Sequence, residues 1–262
     1  MPTYQVDVDT LLFDMDGTLI SSTTPLSAVW VEFADQYKLD IDDILHNAHG
    51  KRTVEMMKKY IPSLTPDEAQ SEAVRFEDRI IEISEENLKK ATDVPTPKDP
   101  QGTIVGLPGV KNLLATINAG HGEQPDRRAG WAIVTSATGD YARRAFLSTK
   151  VSAAPKAFIS ADDVTRGKPD PQPYQTGAKA KKADIKNCIV VEDAPAGVVS
   201  GKAAGARVLG LKTTHNPDRM WEAGADWVVE DLSKVSARWE GERLILTIDS
   251  EDKPANISKP AA

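Results

Sequence analysis

The stretch LLFDMDGTLI, residues 11–20, is an apolar run that stops on two aspartates, Asp14 and Asp16, and then meets a glycine. Carboxylates are among the least buried side chains, so packing alone gives no reason to place two of them behind a core strand. Further along, WAIV is followed by Thr135 and Ser136, and NCIVV by Glu192 and Asp193. AFIS is followed by a loop holding RGKPDP, with Lys168 just before a proline. Carboxylates gathered this way repel one another unless a cation sits among them. Oxygen ligands without histidine or cysteine suit Mg²⁺ rather than zinc or copper. A lysine and hydroxyls beside Mg²⁺ suit a phosphoryl group. With an ordinary pKa of about 3.9, Asp14 is ionised at neutral pH and needs no base to act as a nucleophile. Asp16 beside it can protonate a leaving alkoxide and later take a proton from water. The i, i+2 spacing in an extended segment points both side chains the same way.

These groups are far apart in the chain, so secondary structure must bring them together. Short apolar runs bounded by turn residues predict buried strands of a largely parallel sheet: VDTLLFD (8–14), WAIVT (131–135), AFIS (157–160), NCIVV (187–191), ARVLGL (206–211) and DWVV (226–229). Helices predicted over 138–149, 171–181 and 195–204 alternate with them. That alternation predicts a doubly wound α/β fold with a Rossmann-like core, in which ligands bind beyond the carboxyl ends of the strands. Residues 21–99 differ, with apolar positions at helical spacing and no strand, which predicts an inserted all-helical domain. ATDVPTPKDPQG (91–102) reads as a linker and AGHGEQPDRRAG (119–130) as an exposed loop. The expected division is a catalytic core from 1–20 and 100–249, closed by a strand over RLILTID, with a disordered tail over 250–262.

DMDGT (14–18), Thr135 behind its strand, Lys168 in GKPDP and EDAPAG (192–197) resemble, in order and spacing, the four motifs of the haloacid dehalogenase-like superfamily. The match spans nearly the whole chain, and the insert resembles the helical cap of that superfamily's first subclass. Within it, HNAHGKRT (46–53), WAIVTSATGD and EDAPAGVVSGKAAGA resemble the fungal 2-deoxyglucose-6-phosphatases and glycerol-phosphate phosphatases. The resemblance implies that Asp14 attacks phosphorus and becomes an aspartyl-phosphate. Asp16 is then the general acid and later the base, and gives its backbone carbonyl to Mg²⁺. Thr135 holds a phosphoryl oxygen with backbone N–H groups around Ser136 nearby, and Lys168 offsets charge on the nucleophile and phosphoryl group. Asp14, Asp193 and Glu192 complete the metal site. The resemblance also lays His49, Gly50, Lys51 and Arg52 over the phosphate, Lys51 and Arg52 for the substrate's polar end and Gly50 for close backbone approach. It puts Lys168–Pro169 in the cis form. His46 and Trp30 read as structural.

Each motif alone has a plain structural reading: DxDG as a turn, GKPDP as a proline-rich loop, EDAPAG as a helix start with Pro195 at the first position. The four in order favour a site. The implied activity is Mg²⁺-dependent hydrolysis of a small sugar or polyol phosphate resembling 2-deoxyglucose 6-phosphate, with glycerol phosphate as the alternative. Phosphomutases of the subclass carry a cap histidine where this chain has Leu26, so hydrolysis is expected over transfer back to substrate. A non-enzymatic binding protein on the same scaffold would be expected to have lost Asp14, Asp16 or Lys168. A net charge of −7 weighs against nucleic acid as a partner. Cys188 is the one cysteine, so no internal disulfide forms. Without a signal-like start or a stretch apolar enough for a bilayer, a cytoplasmic monomer that meets no membrane is the expectation.

Overall fold

The computed structural model describes residues 2–47, 51–120 and 130–255; of the expected site residues, His49 and Gly50 lie outside them. The chain opens with strand β1 (Thr3–Val8) and, after a break at Asp9, strand β2 (Thr10–Phe13). A short strand β3 (Ile20–Ser21) leads into helices α1 (Thr23–Tyr37), α2 (Ile41–Asn47), α3 (Thr53–Tyr60) and α4 (Pro66–Lys90), and β4 (Val105–Gly106) leads out. Helices and strands then alternate: α5 (Val110–Ala119), β5 (Gly130–Val134), α6 (Gly139–Ser148), β6 (Phe158–Ile159), α7 (Gln172–Ala180), β7 (Cys188–Glu192) and α8 (Pro195–Ala204). After them come β8 (Arg207–Leu211), α9 (Pro217–Glu222) and β9 (Trp227–Val229), and the hairpin of β10 (Val235–Glu240) and β11 (Arg243–Asp249) closes the described chain.

The central sheet has the order β6-β5-β2-β7-β8-β9 and every pairing in it is parallel. Alternate side chains of its strands enter two separate cores: Leu11, Phe13, Ile133 and Ile189 on one face, Leu12, Val134, Cys188 and Val190 on the other. Burial on both faces is why these strands read as continuous apolar runs rather than alternating ones. From β2 the chain builds outward to β5 and β6, then returns to β7 on the opposite side. That reversal leaves a crevice at the carboxyl end of β2, where Asp14 and Asp16 emerge.

A second sheet, of order β1-β11-β10, is antiparallel and was not legible in the sequence as a separate unit. In strand β1, TYQVDV, only Val6 and Val8 are buried, so it shows no apolar run, and its partner lies at the other end of the chain, Thr3 facing Asp249. The expected tail also starts too early at 250. Ser250 is buried, donates its N–H to Pro2 O at 3.0 Å, and accepts the Val228 N–H on its hydroxyl at 3.1 Å. The side chain that satisfies an edge strand's N–H belongs to the fold.

The helical insert is tied off where it leaves and returns, because β3 and β4 pair antiparallel, Ile20 with Gly106 and Ser21 with Val105. Helix α4 begins with a capping box: Thr65 accepts the Glu68 N–H while the Glu68 carboxylate takes the Thr65 N–H, and Pro66 occupies the first turn. Its buried stripe includes Ala69, Ala73, Phe76, Ile80 and Ile83. Trp30 and Phe33 of α1 pack on Phe76 with ring centroids 4.4 and 5.1 Å away, which makes Trp30 the buried anchor expected of it.

Candidate active site

Asp14 is the residue immediately behind β2, and its N–H still bonds to Val191 O at 3.0 Å, so the sheet ladder holds it in place. Its Oδ1 accepts a hydrogen bond from Lys168 Nζ at 2.5 Å. The same ammonium donates to Glu192 Oε1 at 2.8 Å and to Val134 O at 2.9 Å, so its three N–H bonds are all used. Burial alone would pull the Lys168 pKa down, but the carboxylates of Asp14 and Glu192 outweigh it and push the pKa up. The lysine is therefore a fixed positive charge under the strand ends, seated over the Tyr174 ring with its Nζ 5.0 Å from the centroid. The Lys168–Pro169 bond is cis.

Glu192 is saturated with donors. Its Oε1 also takes the Tyr174 hydroxyl at 2.7 Å, and Oε2 takes the N–H groups of Asp193 and Ala194, each at 3.1 Å. Asp193 accepts the Thr18 hydroxyl at 2.8 Å on Oδ1 and the Thr214 hydroxyl at 2.5 Å on Oδ2. Gly17, at a φ of 89°, lets the loop after β2 lie against this aspartate; a Cβ there would run into the Asp193 carboxylate. Asp14, Glu192 and Asp193 each offer an oxygen within 4.8 Å of the others. Burial, reinforced by Glu192, pushes Asp193 up to about 7 against its two hydroxyl donors. Burial likewise pushes Asp14 well above the ordinary aspartate value; Lys168 opposes this, while Glu192 and Asp193 add to it. The expectation that Asp14 has an ordinary pKa is therefore corrected, because burial shifts it upward despite the Lys168 ammonium. Three carboxylates and one ammonium leave a net charge of −2 in a buried site, and the donors are all oxygen. That set fits a hard divalent cation, which would lower both aspartate pKa values.

Asp16 is placed differently from its neighbour. Its Oδ1 accepts the Ser22 hydroxyl at 2.6 Å and the Tyr141 hydroxyl at 3.0 Å, and its carboxylate is not part of the three-carboxylate cluster. Burial raises its pKa while those two hydroxyls restrain it. An ammonium holds Asp14 and two hydroxyls hold Asp16, so the two carboxyls stand in different surroundings. Thr135 and Ser136 follow β5, and Thr135 Oγ1 accepts the Ala137 N–H at 3.2 Å.

Asp14, Asp16, Thr135, Ser136 and Lys51 all line one cleft between sheet edge and helical insert, with Leu26, Trp30, Phe76 and Ile80 as its apolar wall. The cleft encloses about 690 Å³, part of it open to solvent. Arg52 turns away from it. Its guanidinium donates to Val164 O at 2.7 Å, Ala161 O at 3.2 Å and Thr165 O at 3.4 Å, in the loop that precedes Lys168. Sequence reasoning missed Ser22, Tyr141, Tyr174 and Thr214, whose roles come from partners far along the chain. It also missed Glu77, which lines the cleft, although a charged residue on the apolar stripe of α4 was a readable signal.

Residues 11–211 match the family described as haloacid dehalogenase-like hydrolase. The chain belongs to that family. It is 33% identical over 244 residues to 2-deoxyglucose-6-phosphate phosphatase 2 of Saccharomyces cerevisiae, covering 88% of this chain and 91% of the yeast protein. Against glycerol-1-phosphate phosphohydrolase 1 of the same yeast it is 32% identical over 236 residues, covering 87% and 84%. Its fold is similar to that of a hydrolase from Pseudomonas syringae, at 25% identity and a TM-score of 0.67, covering 85% of this chain and 94% of that one. Hydrolases of this family use a divalent metal, and the buried acidic cluster is where this haloacid dehalogenase-like hydrolase has the ligands for one.

Proposed function

We propose that this haloacid dehalogenase-like hydrolase is a Mg²⁺-dependent phosphatase acting on a small sugar or polyol phosphate, with 2-deoxyglucose 6-phosphate as the type of substrate and glycerol phosphate as the alternative. The observation that carries the reading is the buried Asp14–Lys168 pair at the strand ends, opening on a cleft that a helical cap covers. The yeast relatives act, by their names, on esters of this size.

In this mechanism a carboxylate oxygen of Asp14 attacks phosphorus, the ester P–O bond breaks, and Asp16 gives its proton to the leaving alkoxide. Asp16 then takes a proton from water, whose oxygen attacks the aspartyl-phosphate; phosphate leaves and Asp14 is restored. Ser22 and Tyr141 hold the Asp16 carboxyl through both transfers. Thr135 and Ser136 face the phosphoryl oxygens, and Lys168 stabilises the charge gathered on Asp14 and the phosphoryl group. Held at Asp14, Asp193 and the backbone carbonyl of Asp16, with the Glu192 carboxylate adding negative charge beside them, Mg²⁺ would supply charge neutralisation for the phosphoryl group. Lys51 stands at the cleft for the polar end of the substrate; His49 and Gly50 are proposed beside it from the sequence alone. Leu26 in the cleft wall offers no imidazole, which favours hydrolysis over transfer back to the sugar.

The test is phosphate release, with Mg²⁺, from 2-deoxyglucose 6-phosphate, glycerol phosphates, sugar 1-phosphates and sugar-alcohol phosphates, for wild type and Asp14→Asn. Turnover by wild type that falls to background in the variant is expected. No release from any ester, or full turnover by Asp14→Asn, would overturn the proposal.

A further inference from the structure

Glu77 is a buried carboxylate that the reaction does not use. It sits on the apolar stripe of α4, 3% exposed, and lines the cleft together with Asp16 and Thr135. Its Oε1 accepts the Thr53 hydroxyl at 2.6 Å and the Thr138 N–H at 3.4 Å, and its Oε2 accepts the Thr138 hydroxyl. Every one of these donors is neutral. Among the described residues no ammonium or guanidinium pairs with this carboxylate, and the charge that acts on it is that of another acid, Asp16. Carboxylates so deeply buried are normally paired.

The two ends of the cleft therefore differ in the charge they accept. At the strand ends Asp14, with Lys168 behind it, would take one phosphoryl group, and the acidic cluster would hold a cation beside it. Toward the cap the wall is Leu26, Trp30, Met56, Phe76 and Ile80, with Glu77 as a buried ionisable member. A substrate tail that reaches this end meets aliphatic and aromatic surface and a carboxylate that already accepts hydrogen bonds from hydroxyls. Hydroxyls of a sugar or polyol are donors of the same kind as Thr53 and Thr138. A second phosphate or carboxylate there faces the like charge of a buried carboxylate. Lys51, also in the cleft lining, is exposed, and its charge is screened by solvent.

We propose that Glu77 is a specificity-determining residue of the cap, admitting phosphate esters whose remaining part is uncharged and hydroxyl-bearing and rejecting those that carry a second anion. This rests on the phosphatase reading only for which end of the cleft takes the phosphoryl group. It also works against a bisphosphorylated sugar as ligand, the species a phosphomutase must hold.

The experiment is calorimetric titration at pH 8 of Asp14→Asn, which binds without turning over. The neutral-tailed probes are 2-deoxyglucose 6-phosphate and glycerol 3-phosphate; the second-anion probes are fructose 1,6-bisphosphate and 6-phosphogluconate. With Glu77 present, the second-anion probes should bind at least about 10-fold more weakly than the neutral-tailed ones. Adding Glu77→Gln, which keeps the shape and an acceptor oxygen, should close that gap by about 10-fold through tighter binding of the second-anion probes. Glu77→Asp, which keeps the charge, should retain the gap. A gap unmoved by Glu77→Gln overturns the proposal. So does the absence of a gap in the Glu77 protein, or failure of both classes to bind, and neither needs a folded second variant. Because the readout is binding, an enzyme that released no phosphate from any ester would sink the phosphatase reading while leaving this ratio to be judged by itself.

Discussion

At the scale of single residues, the site works by giving carboxylates of one chemistry different surroundings. Asp14 touches an ammonium, Asp16 touches two hydroxyls, and Glu192 is filled by four donors. Glu77 is the most telling case for stability. Burial pushes it from 4.5 up to about 7, against the hydrogen bonds from Thr138 and Thr53 that pull it down, while Asp16 pushes the same way as burial. A carboxyl whose pKa is higher folded than unfolded holds its proton better in the folded state. Its contribution to stability is whole below pH about 4.5, declines as pH rises, and is gone above about 7. At about 1.4 kcal/mol per pH unit this amounts to something on the order of 3 kcal/mol. Glu77→Gln carries no such dependence. The melting temperature of the variant minus that of wild type should therefore be several degrees larger at pH 8 than at pH 5. Calorimetry showing a constant difference, or one that grows toward acid, would contradict this.

At the scale of elements, and among the described residues, two of the contacts that seat the cap on the core lie beside loops of the candidate site. Glu77 of α4 holds Thr138, the residue that caps α6 directly behind Thr135 and Ser136. Arg52, which caps α3, holds the carbonyls of the loop between β6 and α7 that ends in Lys168. Gly167 makes that second seat possible, since a Cβ there would strike the Arg52 side chain. Arg52→Ala should loosen the loop, with faster amide hydrogen exchange over residues 161–168 and a loss of about 1.5–3 kcal/mol. Arg52→Lys should recover only part, because an ammonium does not reproduce the guanidinium fork. Unchanged exchange in the alanine variant would mean that the contact bears no load.

For the whole molecule, the topology concentrates charge. Strands β2 and β7 lie side by side and both end in acids, so the fold cannot bury its sheet without bringing Asp14, Glu192 and Asp193 together. The cost of that arrangement should be relieved by Mg²⁺. Thermal melts should show a saturable rise on adding Mg²⁺ and a fall with EDTA, about 2.7 kcal/mol of stabilisation at a hundredfold excess over Kd. Asp193→Asn should blunt the rise. Identical melts in Mg²⁺ and EDTA would remove the metal from the proposed chemistry.

The parallel sheet and the residues at its strand ends were determined by the sequence alone, for one reason. Strands buried on both faces are written as unbroken apolar runs, and the chemistry sits at the end of three runs, at Asp14, Thr135 and Glu192, and in the loop after a fourth, at Lys168. Local spacing also marked the helical insert, through the apolar stripe of α4. Tertiary structure decided the rest. Strand β1 has one exposed face and finds its partner only when β11 returns from the far end of the chain. Tyr141 reaches Asp16 across 125 positions and Thr138 reaches Glu77 across 61, contacts that no local pattern encodes. Arg52 looked in sequence like a substrate ligand, and packing turned it toward three backbone carbonyls instead. A side chain's type is local, but the partner that sets its charge and direction is fixed only when distant segments pack.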